Sequence, residues 1–376
     1  MAVEYIKKPP RKLTSFQMAE QIEVENELEL TPAAVNDVAE IFTTPLTGTY
    51  NWDYRLQENR IKQLYELGKK LNWNAETDID WSLSPGTLSH QEREALSGYL
   101  GYAPYEALSE EDKIAFIKHQ DVWTYSQFLH GEQGALLVAS QLTSCAPTFN
   151  AKLFAASQTF DEARHVEVFN KYLQTKFGKM FPVDPALKSI LDKILSDERW
   201  DLKFIGMQVI IEGLALSAFN TIHALAPEGL LKSILHLVIR DEARHVAFGI
   251  HYLEEFVKSL SQSEREERAM FAYEACLVSR ERLVPTGLFE HWGWDVEESR
   301  KVFLDAQVAT EFRNLLFKRI IPNLRHIGLI TDKVRPLFEQ LDILQYENLM
   351  DDGDIDWAEM NKPLFNETAP GVIRSE

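Results

Sequence analysis

One pentapeptide, Asp-Glu-Ala-Arg-His, occurs twice in the chain, and its second copy begins eighty residues after the first. A glutamate precedes both copies at the same distance, because Glu132 lies thirty residues before Glu162 and Glu212 lies thirty residues before Glu242. The chain therefore contains two copies of one structural unit. Any fold proposed for it must place these two units in equivalent environments.

Each unit lies in long segments with a helical pattern, since proline and glycine are scarce between residues 106 and 282 except where they separate these segments. The predicted helices run from Ser109 to Pro147, from about Thr148 to Gly178, and from about Arg199 to Ala226, where Pro227 and Gly229 end the third helix. A fourth helix follows to about Leu260. Two further helices are predicted to begin near Ser263, which heads the capping-box pattern "SERE", and near Asp295. The middle of the chain is predicted to be all-helical.

Two of the repeated glutamates interrupt very apolar segments. Glu132 lies within "FLHGEQGALLVA" and Glu212 within "QVIIEGLALSAF". A buried carboxylate without a partner would cost roughly 3 kcal/mol or more, so each of these side chains needs a partner inside the fold.

The pentapeptides supply those partners. Glu162 and His165 are three residues apart and share one helix face, as do Glu242 and His245. Either motif alone is more often a solvated helix face or a carboxylate paired with a basic residue. A lone glutamate from one helix and a Glu-x-x-His from the next, each supplied twice, form the ligand set with which four-helix bundles hold two metal ions. The repeat therefore predicts a dinuclear metal site.

The two aspartates and two arginines of the pentapeptides are expected to hold the histidines in position. A metal-bound histidine normally donates its second ring N–H to a carboxylate. Adjacent helix positions diverge by about 100°, so we expect Asp241 to serve His165 and Asp161 to serve His245. Arg164 and Arg244 are then expected to pair with these aspartates and balance their charge.

With these residues in place, the sequence resembles the ferritin-like dinuclear iron carboxylate proteins. The doubled pentapeptide is similar to the Asp-Glu-x-Arg-His signature of bacterial multicomponent monooxygenase hydroxylase subunits. The resemblance covers about residues 110–260 and implies a ferritin-like four-helix bundle with flanking helices. It also implies a centre of two Fe ions per chain, with Mn/Fe equally compatible with the ligands, that reduces O₂ for hydroxylation, desaturation or N-oxygenation.

Several branches of this superfamily stay open. The ribonucleotide reductase small subunit, a radical generator, usually has a tyrosine where this chain has Phe169 and an aspartate where it has Glu132. Arylamine N-oxygenases have a third histidine at the position of Val238, and multicomponent hydroxylases have a threonine at that of Leu216. An oxidase or oxygenase is the first hypothesis, radical generation the second, and ferritin-like iron storage the third, because storage proteins are much shorter chains.

Helical spacing also predicts which side chains border the substrate. Candidates lie within two turns of Glu132 and Glu212, together with the residue one turn after His165. They are Phe128, Ala135, Leu136, Phe169, Gln208, Ala215, Leu216 and Phe219. Among them, the small Ala135 and Ala215 would leave room for a substrate between larger apolar walls.

Composition limits the partners. The formal net charge of −19 argues against a nucleic acid or an anionic membrane surface as the main partner. The amino-terminal segment lacks the apolar core of a secretory signal, and no segment reaches the roughly 20 apolar residues of a membrane span. We expect a cytoplasmic protein that uses O₂ and a small or medium organic substrate. An electron donor, such as a reductase or ferredoxin, and a homodimer stay open.

The chain shows no clear linker between two domains. Residues 1–105 are rich in turn formers and are expected to pack on the bundle as a lead-in. Residues 106–345 are expected to form the ferritin-like di-metal domain, and residues 346–376 an acidic, loosely ordered tail.

Overall fold

A computed structural model of the chain describes residues 2–3, 16–19, 40, 42–52, 54 and 59–354. Within these residues the structure is dominated by α-helices. They are α1 (Arg60–Lys70), α2 (His90–Ala95), α3 (Ala103–Glu106), α4 (Glu110–Cys145), α5 (Phe149–Lys176), α6 (Pro185–Ser196), α7 (Trp200–Leu225), α8 (Leu230–Ser259), α9 (Gln262–Glu281), α10 (Thr286–His291), α11 (Val296–Asp305), α12 (Gln307–His326) and α13 (Arg335–Gln340). Short 3₁₀ turns follow at Leu344–Tyr346 and Asp352–Asp354.

Three short strands form a small antiparallel sheet beside the helices. They are β1 (Ala2–Val3), β2 (Phe16–Ala19) and β3 (Lys179–Met180), with β2 in the centre. Ala2 lies opposite Ala19, and Phe16 lies opposite Met180.

Helices α4, α5, α7 and α8 form the central four-helix bundle, and the remaining helices flank it. Ser109 caps α4 by accepting a hydrogen bond from the Asp112 N–H, and Thr148 caps α5 by accepting one from the Ala151 N–H. The predicted bounds of α4, α5 and α7, and the predicted end of α8, agree with the structure to within two residues. The prediction of an all-α fold with a four-helix bundle and flanking helices is confirmed.

Two details of the flanking helices differ from the prediction, although both helices begin within two residues of the predicted starts. The capping box of α9 is formed by Ser261 and Glu264 rather than by Ser263, because Glu264 occupies the third position of a helix that starts two residues earlier. The segment after Asp295 is two helices, not one. Ala306 adopts an extended conformation between them, and the Leu304 carbonyl accepts a side-chain hydrogen bond from Thr310.

Helix α7 contains an eight-residue π-helical segment, Phe204–Ile211, directly before Glu212. Every side chain of this segment is buried. Helix α8 approaches it closely at Gly249, where an added Cβ would lie 2.5 Å from the Gln208 Cβ. π-Helical turns widen a helix locally and are frequent at functional sites. Here the widened turn sets the position of Glu212 relative to α8.

Residues from both ends of the chain pack on the bundle. Helix α1 lies against α5 and α8. Near the other end, the buried Asp352 accepts hydrogen bonds from Arg319 and Asn323 on α12. The rest of the predicted tail, residues 355–376, lies outside the described residues. The division of the chain into three parts stays a prediction.

One helix of the described residues, α7, is long and apolar enough to cross a membrane by length and composition. Of its most apolar window, 89% is buried inside the protein. Such burial is typical of the central helix of a packed domain.

The close contact at Gly249 gives a stability prediction. Gly249→Ala should lower the free energy of unfolding by about 1–3 kcal/mol, because its Cβ would meet the Gln208 Cβ, which cannot move without its backbone. Gly131→Ala in α4 is the matched control. Nothing lies within 4 Å of the added Cβ there, so this variant should gain roughly 0.5–1 kcal/mol from removal of a helix-interior glycine.

Urea unfolding followed by circular dichroism measures both changes. A Gly249→Ala variant as stable as Gly131→Ala would show that α7 and α8 are not in this close contact.

Candidate metal centre

The bundle brings the six repeated residues together in its interior. They are Glu132 on α4, Glu162 and His165 on α5, Glu212 on α7, and Glu242 and His245 on α8, and all are at most 4% exposed. They form two overlapping groups, each with ligand atoms within 4.8 Å of one another. Glu132 and His165 belong to one group, Glu212 and His245 to the other, and Glu162 and Glu242 to both. The two shared carboxylates lie where bridging ligands between two cations would lie.

Each histidine turns the same ring nitrogen toward this cluster. Nδ1 of His165 lies 3.2 Å from Glu132 Oε2, 3.2 Å from Glu162 Oε2 and 3.1 Å from Glu242 Oε1. Nδ1 of His245 lies 3.1 Å from Glu162 Oε1 and 3.7 Å from Glu242 Oε2. The opposite nitrogen, Nε2, faces away from the cluster in both rings. This arrangement leaves one nitrogen of each ring for a metal ion and one for a hydrogen bond.

Several polar atoms in the cluster have no hydrogen-bond partner among the described residues. They include Oε2 of Glu162, both carboxylate oxygens of Glu242 and Nδ1 of His245. Buried polar atoms of native proteins are nearly always satisfied, and those that are not need an explanation. Carboxylate oxygens with imidazole nitrogens suit iron or manganese. The cluster therefore fits a dinuclear metal centre.

The electrostatics of the cluster show how unfavourable it is without cations. Burial raises the pKa of Glu132 to about 8, and the neighbouring Glu242 adds to this shift. Burial also raises the pKa of Glu212 well above its usual range. Burial alone would lower the pKa of His165, but its hydrogen bonds to Asp241 and Glu132 raise it well above its usual value. Without metal, the cluster must hold protons that two cations would replace.

The aspartate of each pentapeptide contacts the histidine of the other pentapeptide, between α5 and α8. Nε2 of His165 donates to Asp241 Oδ2 at 3.2 Å, and Nε2 of His245 donates to Asp161 Oδ2 at 3.2 Å. Each aspartate thus faces the histidine of the other helix, the arrangement we expected from the repeat. A carboxylate in this position fixes the tautomer and orientation of the ring.

Both arginines of the pentapeptides join the same network. Nη2 of Arg164 lies 2.6 Å from Asp161 and 3.1 Å from Asp241. Nη2 of Arg244 lies 3.0 Å from Asp161 and 2.6 Å from Asp241. Two buried positive charges therefore balance two buried negative charges behind the histidines.

Sequence reasoning missed three contributors to the site. The Trp73 indole N–H donates to Asp241 at 2.8 Å, and Asn72 accepts a hydrogen bond from Arg164 at 2.6 Å. Gln158 donates to Glu162 at 3.0 Å and to Glu212 at 3.2 Å. Gln158 lies one turn before Glu162 and could have been found by this spacing. Trp73 and Asn72 come from the amino-terminal region, and no local pattern links them to the bundle.

An apolar cavity of about 250 Å³ adjoins the cluster on the side of α4 and α7. Glu132 and Glu212 both contribute to its wall. Of the eight predicted pocket residues, the wall contains Phe128, Ala135, Ala215 and Phe219 and does not contain Leu136, Phe169, Gln208 and Leu216.

Two of the four residues outside the wall, Phe169 and Gln208, make contacts with other side chains instead. The Phe169 ring packs behind the rings of Phe128 and Phe219, at centroid distances of 5.9 and 5.6 Å. Gln208 donates to Gln158 at 3.0 Å and so holds a residue that contacts the cluster. The four wall residues stay candidates for substrate contact.

The crossed aspartates yield a prediction about metal affinity. Asp161→Ala and Asp241→Ala should each weaken metal binding roughly 10- to 100-fold, because each leaves a histidine of the cluster without its orienting acceptor. Asp192→Ala is the control, since Asp192 is an exposed residue of α6 that pairs with Lys188. Titration with Mn(II), followed by calorimetry, measures the affinity. Unchanged affinity in both variants would assign Asp161 and Asp241 a purely structural role.

Comparison with known proteins agrees with this geometry. The family model described as p-aminobenzoate N-oxygenase AurF matches residues 55–328, well over half of the chain. No curated protein matches.

Similar solved structures include two of R2-like ligand-binding oxidase. One carries an aerobically reconstituted Mn/Fe cofactor after a long soak, and is 19% identical, with a TM-score of 0.46, over 72% of this chain and 94% of that chain. The other carries an aerobically reconstituted metal cofactor after photoconversion, and is 19% identical, with a TM-score of 0.45, over 72% of this chain and 94% of that chain.

The match to the family model extends from just before α1 into the turn after α12 and includes all six residues of the cluster. The chain belongs to the AurF family, and with it to the ferritin-like di-metal oxidases and oxygenases that use O₂.

Proposed function

We propose that this enzyme holds two metal ions with Glu132, Glu162, His165, Glu212, Glu242 and His245, and oxygenates a small organic substrate bound in the adjoining cavity. Iron pairs and a mixed Mn/Fe pair both suit these ligands. Amine N-oxygenation is the first reaction to test, because the matching family is described by a p-aminobenzoate N-oxygenase. Hydroxylation and desaturation are the alternatives within the same chemistry.

One observation carries the proposal. Glu132 and Glu212 belong to the metal cluster and to the cavity wall at once, whereas the two histidines and their aspartates lie outside that wall. A molecule in the cavity would therefore contact the open side of the centre. Iron storage needs no such apolar chamber beside the metals.

The chain contributes to the reaction mainly by positioning and exclusion. Bound iron would supply the reduction of O₂. The apolar side chains of the wall exclude water from the same space and leave room for a substrate, with Phe128 and Phe219 in contact at a centroid distance of 4.9 Å. The arginine–aspartate network holds the histidines in place. The electrons come from a reductase, a ferredoxin or the substrate itself.

This chain differs from an arylamine N-oxygenase at position 238, where it has the buried Val238 in place of a third histidine. Its side chain offers no donor atom, so the centre proposed here has six protein ligands.

Radical generation is the second candidate, and Tyr125 is the residue that favours it. Its side chain is buried, lines the cavity and packs edge-on against Tyr172 at a centroid distance of 5.4 Å. Phe169, which is fully buried, occupies the position where the radical tyrosine is expected. A tyrosyl signal in electron paramagnetic resonance after O₂ exposure would favour this candidate over oxygenation.

The reaction itself is tested by loading the protein anaerobically with Fe(II) and then adding ¹⁸O₂ together with arylamines. We expect a product that carries ¹⁸O, detected by mass spectrometry. The Glu132→Ala, Glu212→Ala double variant should give none, because it removes one ligand from each half of the centre. Consumption of O₂ with growth of a ferric mineral and no labelled product would refute oxygenation and favour storage.

The cavity gives a second prediction. Ala135→Phe and Ala215→Phe should each reduce substrate turnover at least about tenfold, because a phenyl ring would fill part of the small chamber. Metal loading and substrate-free O₂ consumption should change little. Ala224→Phe is the matched control, since Ala224 is exposed on the same helix as Ala215 and lies outside the cavity wall. Wild-type turnover in both cavity variants, with folding verified, would place the substrate elsewhere.

A further inference from the structure

The cavity extends along α4 and α7, away from the metal cluster. Most of its wall residues on α4 recur every three or four positions between 120 and 135, and those on α7 recur in the same way between 211 and 226. At 1.5 Å per helical residue, Asp121 and Leu225 lie about 16 and 20 Å along their helices from the cluster glutamates. One end of the cavity therefore lies at the metal cluster and the other at the end of the bundle.

The end far from the cluster is where the cavity meets solvent. Leu96 and Leu225 are the exposed side chains of the wall, at 40% and 53%, whereas every other wall residue is buried or half-buried. The backbone joins their two segments, because the Leu230 N–H at the start of α8 donates to the Ser84 carbonyl shortly before α2 at 2.9 Å. The entrance of the cavity therefore lies between α2 and the end of α7.

Helix α2 covers this entrance with little packing of its own. Leu88, Arg93 and Leu96, on and beside the helix, belong to the cavity wall, yet no residue of α2 is buried. The chain is fixed on both sides of it. Before α2, the Pro85 carbonyl accepts a hydrogen bond from the first turn of α8 at 3.0 Å, and after it Tyr99 is fully buried. A segment with few buried contacts between two fixed points opens locally at low cost in free energy.

An ion pair ties α2 to α4 within the cavity wall. Arg93 of α2 pairs with Asp121 of α4, and their side chains are 24% and 9% exposed. Burial raises the pKa of Asp121, and Arg93 opposes this shift. A second side-chain contact of α2, from the Tyr105 hydroxyl to Glu94 at 2.8 Å, leads to α3 and not to the bundle. The Arg93–Asp121 pair is thus placed to hold α2 against the bundle.

We propose that α2 is a lid over the entrance of the chamber, that substrate enters between α2 and the end of α7, and that the Arg93–Asp121 ion pair is the latch that keeps the lid closed. This inference rests on the proposed function, because it takes the cavity to be the substrate chamber. It adds the route of entry and the residues that control the rate of passage.

A lid explains how a chamber that excludes water from the metal cluster still admits a substrate. When α2 is closed, Leu88 and Leu96 complete the apolar wall. When it opens, both partners of the latch gain access to water, which limits the cost of separating them.

Thiol labelling measures passage through this entrance without turnover. Ala218→Cys places a thiol in the wall between the entrance and the cluster, where the alanine is 6% exposed. The full chain is treated with methyl methanethiosulfonate, and mass spectrometry of its peptides follows modification over time. Cys276, which is fully buried and outside the wall, reports global unfolding in the same sample. The thiol at position 218 should react faster than Cys276.

Two variants with a narrower entrance test the route. Leu96→Trp and Leu225→Trp, each combined with Ala218→Cys, should slow modification at position 218 several-fold, because the larger ring obstructs the opening. Leu277→Trp is the matched control, since Leu277 is 39% exposed on α9 and lies outside the cavity wall. This control should leave the rate unchanged.

Removal of both latch residues tests the lid. Arg93→Met combined with Asp121→Leu should accelerate modification at position 218 about tenfold or more, the lower end of the range for a hydrogen bond to a charged group. The paired change leaves no buried charge without its partner. Lys193→Met combined with Glu274→Leu removes a surface ion pair in the same way and should leave the rate unchanged.

Modification at position 218 that is no faster than at Cys276 would overturn the inference, as would unchanged rates in both tryptophan variants. An unchanged rate without the Arg93–Asp121 pair would overturn the latch. Equal acceleration at position 218 and at Cys276 in that variant would also overturn it, because unfolding and not lid opening would then admit the reagent.

These results are separate from the proposed function. A protein that makes ¹⁸O-labelled product but shows none of these rate changes refutes this inference alone. The expected rate changes without any labelled product refute the proposed reaction alone.

Discussion

The burial of four carboxylates and two imidazoles at the centre of an apolar bundle is the constraint on which this structure depends. All six side chains are at most 4% exposed, and several of their polar atoms have no partner within the described part of the chain. Such a cluster is unstable unless cations or protons neutralise it, because desolvation of each carboxylate costs several kcal/mol. The shared positions of Glu162 and Glu242 divide the cluster into two halves of similar composition. Two metal ions are the simplest way to satisfy it.

Two features of the surrounding bundle hold the six residues of the cluster in position. The crossed network of Asp161, Asp241, Arg164 and Arg244 fixes the histidines from behind and joins α5 to α8. The π-helical segment of α7, packed against Gly249, fixes the position of the glutamate that follows it. On the opposite side, the same bundle leaves a cavity in contact with two glutamates of the cluster, Glu132 and Glu212. Rigid support on one side and an open chamber on the other are what an oxygenating centre needs.

Much of this arrangement could be predicted from the sequence, because it depends on local spacing. The eighty-residue offset and the three-residue Glu-to-His spacing identify the six residues and their helices, and the same repeat predicts the crossed aspartates. Contacts between distant segments could not be predicted in this way. Trp73 reaches Asp241 from a region without a helical repeat, and Arg282 reaches the cavity from the end of a flanking helix. The helix break at Ala306 depends on side chains that satisfy a carbonyl, and no turn residue marks it.

The position of metal ions in crystals tests the central claim most directly. Crystals of the protein loaded anaerobically with Mn(II) should show two peaks in an anomalous difference map. One peak should lie beside Glu132 and His165 and the other beside Glu212 and His245, with Glu162 and Glu242 between them. A single peak among these six residues, or peaks confined to other parts of the molecule, would contradict the dinuclear centre from which the proposed chemistry follows.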